Sequence, residues 1–270
     1  MKRLAWLSAS LILAVYLLAI MLGLRTRDLS WVSGSKAPVL QSMWTPPPRG
    51  TIPPDHTGDL IRFGEQIFND TRLYVPAHAR AAVSCSDCHA AGGIQPFASP
   101  VVGLPALFPM YNQRAGHVIS LKDRIQECFV RSENGTPLNY EGPEMNAIVA
   151  YINWLSQPRP NEQRFIGRGL VSLPSLAPDP VHGESIYASQ CAGCHGAHGE
   201  GLPPQFPPLW GPSAFNDGAG MNGIPKMAAF VQHNMPQNRM GILSAQDAYD
   251  VAAFIHQQPR PAFNKAYAHF

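Results

Sequence analysis

Cys85-Ser86-Asp87-Cys88-His89 is the stretch on which the reading of this chain turns, and Cys191-Ala192-Gly193-Cys194-His195 repeats it. A Cys-x-x-Cys-His pentapeptide attaches haem c: its two thiols add across the vinyl groups and its imidazole becomes an axial iron ligand. A zinc ribbon would use four Cys/His ligands per metal and would not place a histidine directly after both cysteine pairs. The repeated motif therefore predicts two covalently bound haem c groups, with Cys85, Cys88, Cys191 and Cys194 as the anchors and His89 and His195 as iron ligands.

Haem c is attached outside the bacterial cytoplasm, so the body of the protein is expected in the periplasm. The N-terminus provides a route. Lys2-Arg3 precede Leu4 to Leu24, a run of 21 uncharged residues long enough to cross a bilayer. With no small-x-small cleavage site directly after it, an uncleaved anchor in the inner membrane is preferred to a cleaved signal peptide. Trp44 to Asp55 is too proline-rich for helix or sheet and reads as an extended spacer. Twenty basic against 18 acidic residues leave no electrostatic footprint for a nucleic-acid partner.

The rest of the chain repeats itself. Gly64-Glu65-Gln66-Ile67-Phe68 is echoed by Gly183-Glu184-Ser185-Ile186-Tyr187, Ala150-Tyr151-Ile152 by Ala253-Phe254-Ile255, and Gln157-Pro158-Arg159-Pro160 by Gln258-Pro259-Arg260-Pro261. The first echo marks an opening helix. The second marks closing helices at about Pro143 to Leu155 and Ala245 to Gln257, the latter with a Ser244/Asp247 capping box. An opening helix, a haem motif, a long loop and a closing helix resemble the class I cytochrome c fold. The expected architecture is all-α: two such haem domains in tandem, preceded by a transmembrane or signal helix. The boundaries read as 1–27 for that helix, 28–57 for the spacer, 58–160 for the first domain, 161–180 for a linker and 181–270 for the second domain.

The two halves do not match around the motif. Phe68 to Cys85 is 17 positions, whereas Tyr187 to Cys191 is four, so the first half carries an insertion, Asn69 to Ser84. Insertions beside a cofactor are where substrate-contacting loops arise. In the second half, the loop after His195 offers carbonyls near Pro207 to orient its ring. Met235, Met240 and His233 compete for the other axial position, with Met235-Pro236 favoured. In the first half, counting back 23 positions from Tyr151, against 19 from Phe254 to Met235, lands on Cys128, the one cysteine left over from haem attachment; Met110, His117 and Met145 are alternatives. Ser120 to Ser132 reads as a helix with a Ser120/Asp123 capping box and Asn134-Gly135 as its stop. On it, Leu121, Ile125 and Cys128 share an inward stripe, with Arg124 and Arg131 flanking the sulfur. Those guanidinium groups are expected to favour the thiolate and to form an anion site.

Arg114, Arg124 and the run Cys128-Phe129-Val130-Arg131-Ser132-Glu133-Asn134-Gly135 lie between the first haem motif and an Asn234-Met235-Pro236 loop. In this they resemble the dihaem thiosulfate dehydrogenases, also called tetrathionate synthases, over roughly Asp59 to Pro261. The resemblance implies a His89/Cys128 catalytic haem, a His195/Met235 electron-transfer haem, and Arg114, Arg124 and Ser132 around the substrate. It further implies oxidation of thiosulfate to tetrathionate, or the reverse, with an external cytochrome c or terminal oxidase as electron acceptor. Three rivals fit the motifs less fully: a plain dihaem electron carrier, a sulfur-oxidation cytochrome conjugating thiosulfate to a carrier protein, and a haem-based sensor.

Overall fold

The computed structural model describes residues 46–157 and 167–270. The expected membrane-anchor or signal helix lies outside the described residues; among those described, no helix is long and apolar enough to cross a membrane.

The first half opens with α1 (His56–Asn69), which begins where the Asp55 carboxylate accepts the Gly58 amide. The haem pentapeptide forms a single helical turn, Cys85–Cys88. A short antiparallel hairpin follows, β1 (Met110–Asn112) against β2 (His117–Ile119). Then come α2 (Leu121–Arg131), opened by the expected Ser120/Asp123 capping box, and α3 (Pro143–Leu155). The second half is built from α4 (Pro180–Ile186), α5 (Ile224–Asn234) and α6 (Ala245–His256). The halves are helical as expected, and the short hairpin is an addition that the sequence reading did not include. It forms because Asn112 turns the chain: its Oδ1 accepts the Arg114 and Ala115 amides, and Gly116, at φ +74°, closes the turn on the Asn112 carbonyl.

Each half is organised around one close helix crossing. At Gly64 on α1 a Cβ would overlap the Ala147 carbonyl of α3; at Gly183 on α4 it would overlap the Asp250 carbonyl of α6. Glycine is required at both places because the backbones touch. The crossings place Ala147 and Asp250 in the same relation as Tyr151 and Phe254, so the repeat read from sequence is a repeat of packing. Around each crossing lies an apolar core with an aromatic cluster. Phe68, Tyr151 and Trp154 form it in the first half, and Tyr187, Trp210 and Phe254 in the second.

The two halves are joined by polar contacts. Asn216 Nδ2 donates to the Val130 carbonyl (2.9 Å), the Asn216 amide donates to the Arg131 carbonyl, and the Ala82 amide donates to the Ser213 carbonyl (2.7 Å). The Arg131 guanidinium reaches the carbonyls of Gly218 and Phe270 and lies over the Phe263 ring at 4.1 Å.

Candidate active site

The first haem motif is set by short-range hydrogen bonds. Ser84 and Asp87 form a capping box over the Cys85–Cys88 turn, and Thr71 Oγ1 accepts the Cys85 amide while donating to the Ile67 carbonyl. Cys85 and Cys88 are thus presented on one turn. His89 Nδ1 donates to the Ser99 carbonyl at 2.5 Å, which leaves Nε2 as the free ring nitrogen. Burial keeps this imidazole below the usual histidine range, so it is neutral and suited to bind iron.

The second motif follows α4 with almost no interruption. A π-turn, Tyr187–Cys191, leads into Ala192–His195, and His195 Nδ1 donates to the Pro207 carbonyl at 2.9 Å, the orientation expected from the sequence. Burial lowers its pKa as well. None of the five cysteines pairs in a disulfide. Two thiols on one turn, followed by a neutral imidazole with a fixed tautomer and an open Nε2, are the donor set that covalent haem c requires, and both motifs supply it.

Above the first motif lies α2. Cys128 sits in its last turn, half-buried among fully buried neighbours Glu127, Phe129 and Val130. Its thiol is pushed above the ordinary range by burial first. Arg124, and less strongly Arg114, pull it down, while the carboxylates of Glu127 and Glu133 push it up. Burial outweighs the pull of the two arginines on this thiol. Arg131 does not flank the sulfur, because its guanidinium turns away toward Phe263 and Phe270. Arg124 does serve the site: Cys128 raises its pKa, and its Nη1 donates to Glu127 Oε2 at 3.1 Å. Ser132 caps α2, its amide donating to the Cys128 carbonyl at 2.7 Å.

The alternative ligands separate by position. Met145 is 0% exposed in the first core, whereas Met110 (44% exposed) and His117 stand on the outer hairpin, where the His117 ring turns back to the Ala115 carbonyl. In the second half Met235 ends α5 and packs partly buried against the core, while Met240 is 54% exposed and the His233 ring is edge-on to Phe97 at 4.6 Å.

Three residues at this site were not read from the sequence. Glu127, 2% exposed, accepts from both Arg124 and Asn112 Nδ2 (2.9 Å), and so ties Arg124 to the turn that carries Arg114. Its place three residues after Arg124 was a usable signal. Glu133, 1% exposed, is held well above the usual carboxylate range by burial. Lys226, near the start of α5, has its pKa lowered by partial burial and then by Arg114 and Arg124, which brings a further cation to the site from the other half of the chain. No local pattern marks it. The insertion braces the end of α2. The Arg80 and Ala81 amides donate to the Glu133 carbonyl, the Thr136 amide donates to the His78 carbonyl, and Val75, Ala79, Ala81 and Val83 are buried.

Two helical units, each with a Cys-x-x-Cys-His turn, a carbonyl-fixed histidine and a closing helix crossed at glycine, define a dihaem c-type cytochrome with two covalently bound haem c groups. Residues 70–160 match the SoxA/TsdA cytochrome c domain, and residues 178–255 match the cbb3-type cytochrome c oxidase subunit III family. The chain is 38% identical over 231 residues to a thiosulfate dehydrogenase of Allochromatium vinosum, covering 82% of this chain and 86% of that one. It is 37% identical over 227 residues to a thiosulfate dehydrogenase of Stutzerimonas stutzeri, covering 82% and 74%. A solved thiosulfate dehydrogenase (TsdBA) from Marichromatium purpuratum, in its as-isolated form, superposes with a TM-score of 0.76 at 33% identity, over 87% of this chain and 55% of that longer one. The chain belongs to the thiosulfate dehydrogenase family.

Proposed function

We propose that the protein oxidises two thiosulfate dianions to tetrathionate at the first haem, in the periplasm, and that the same site also runs in reverse. The observation that carries this reading is the convergence of Arg124 and Arg114 on Cys128, beside the first haem motif, in a chain of this family. Joining two dianions demands positive charge at the point of contact. Arg114, Arg124 and Lys226 offset the repulsion, the guanidinium groups by paired contacts to sulfonate oxygens and Ser132 by its hydroxyl.

His89 and Cys128 would hold the first iron and His195 and Met235 the second. Bound haem supplies one-electron redox chemistry at both, with electrons leaving to an external cytochrome c or terminal oxidase. The sulfur chemistry is carried by Cys128. Loss of two electrons joins its thiolate to the terminal sulfur of one thiosulfate, giving an S-thiosulfonate on the cysteine. The terminal sulfur of the second thiosulfate then attacks that same sulfur and breaks its bond to Cys128. Tetrathionate departs, and the thiolate is restored.

We place the two haem domains at 58–160 and 181–270 with 161–180 as linker, take residues 1–27 as a signal or inner-membrane anchor helix, and end the spacer proposed at 28–57 short of Arg49, because Thr51 and Ile52 already pack on the first domain and α1 starts at His56. The defining experiment is a steady-state assay of the purified dihaem protein with thiosulfate and an artificial oxidant, with the sulfur product identified. Tetrathionate formed at half the thiosulfate consumed supports the reading. A second reading, conjugation of thiosulfate to a carrier protein, is favoured by one observation: 32% identity over 119 residues to the SoxA subunit of L-cysteine S-thiosulfotransferase from Rhodovulum sulfidophilum. It predicts that tetrathionate is absent.

A further inference from the structure

We infer that Asn234, on the second half of the chain, is a positioning residue for the His89 imidazole of the first haem. His89 Nδ1 donates to the Ser99 carbonyl, and that carbonyl belongs to a loop with an unusual backbone: Phe97 at φ +60° and Ser99 at φ +48° both lie in the left-handed region. Side chains with a Cβ enter that region rarely, and a loop that visits it twice within three residues must be held from outside. Beside the local bonds from the Ala98 amide to Gln95 and from the Val101 amide to Gly93, the holding contacts come from later in the chain. The Phe97 and Ser99 amides donate to the Gly167 and Gly169 carbonyls (2.6 and 2.8 Å), which fixes the outer edge. The Phe97 carbonyl is taken by Asn234 Nδ2 at 3.0 Å, and the Phe97 ring stands edge-on to His233.

Asn234 is built for this contact. It is 3% exposed at the last turn of α5, its Nδ2 shared between Phe97 and the Phe230 carbonyl. Of the side chains on the described residues, it is the one whose hydrogen bond joins α5 to this loop. The next residue is Met235. A single amide therefore connects the segment carrying the proposed ligand of the second iron to the loop whose Ser99 carbonyl, two residues on from Phe97, orients the ligand of the first. A carbonyl that accepts from the distal ring nitrogen makes the iron-bound imidazole a stronger donor, and a loop that drifts weakens that donation. The first haem should then be easier to reduce.

The test is a redox titration of the purified dihaem protein without thiosulfate, combined with electron paramagnetic resonance of the oxidised form, so its outcome does not depend on the substrate. In Asn234→Ala, the oxidised-to-reduced ratio of the first haem at fixed potential should fall about tenfold, equivalent to about 59 mV for one electron, and its low-spin g-values should shift. Phe97→Gly, which relieves the left-handed strain at that position, should shift neither on its own and should restore part of both when added to Asn234→Ala. If Asn234 only caps α5, the signature of the second haem changes while the first haem keeps its wild-type ratio and g-values in Asn234→Ala. That result overturns the inference.

Discussion

The two haem-attachment turns share five-residue chemistry and almost nothing of their surroundings. Both follow an opening helix crossed at glycine, and both have a tyrosine hydroxyl bonded to the backbone just after the motif. Yet the tyrosine comes from opposite partners of the same pair: Tyr151 of the closing helix donates to the Gly92 carbonyl (2.8 Å), whereas Tyr187 of the opening helix donates to the Gly196 carbonyl (2.7 Å). The scaffold thus preserves the bond and lets its donor migrate. What the halves do not share is charge. The first turn faces Cys128, Arg114, Arg124 and two buried carboxyl groups, while the second carries an exposed Cys194 under a loop of prolines and glycines. A common frame has been loaded with substrate chemistry on one side only.

That asymmetry can be broken most sharply at its sulfur. Cys128→Gly should lower turnover with thiosulfate by about a thousandfold or more, because the covalent step is lost. Met235→Gly should instead leave reduction by thiosulfate intact in a single turnover and slow only the delivery of electrons to the oxidant; stopped-flow spectra of the two variants compare the halves directly. The shared frame is tested next by Gly64→Ala and Gly183→Ala. Each forces a methyl into a backbone carbonyl and should destabilise the protein by about 3 kcal/mol, read by calorimetry. A much smaller loss at either position would show that the crossing can open.

A finer probe asks whether the site belongs to one half alone. Lys226→Gln should raise the KM for thiosulfate by about threefold at low salt, the scale of a partly exposed charge contact, with kcat unchanged and the effect fading as salt screens it. The smallest effect is expected at the seam between α4 and α6. There, Asp250 accepts from the Asp179 amide (2.7 Å), His182 Nδ1 (2.8 Å) and Gln246 (2.7 Å). The bond to Asp250 raises the His182 pKa above 6.5; burial works against Asp250, but the Asp179 amide and His182 hold it below 3.8. The histidine's contribution is full below pH 6.5 and lost as pH rises through its raised pKa. The carboxylate's is full above pH 3.8 and lost as pH falls through its lowered one. His182→Ala should therefore reduce the melting temperature most near pH 5 and least near pH 9, and a pH-independent difference would assign the loss to packing.

The repeat, the helices and the haem turns were legible in the sequence because each rests on residues close together in the chain. Capping boxes at Ser120 and Ser244, a glycine at each crossing and the Cys-x-x-Cys-His turns are local signals with local causes. The hairpin that carries Arg114 was missed because three-residue strands are too short for an alternating pattern to stand out. Arg131 was misplaced for a different reason. Helical spacing puts it near Cys128, but a long side chain follows its best partners, and those lie more than 80 residues away at Gly218 and Phe263. Lys226, for the same reason, could be assigned only once its charge was seen to feel Arg114 and Arg124.

The bonds from Asn216 to the carbonyls of Val130 and Arg131 bear on how such a protein can be rearranged by gene fusion and fission. A boundary sealed by hydrophobic contact can be cut and patched with polar substitutions. One sealed by backbone carbonyls needs no such patch, since water takes the place of the lost donor, but water does not hold position. The first half made alone would leave the end of the Cys128 helix without the Asn216 bonds that anchor it, so shuffling the haem units among cytochromes would free that helix end.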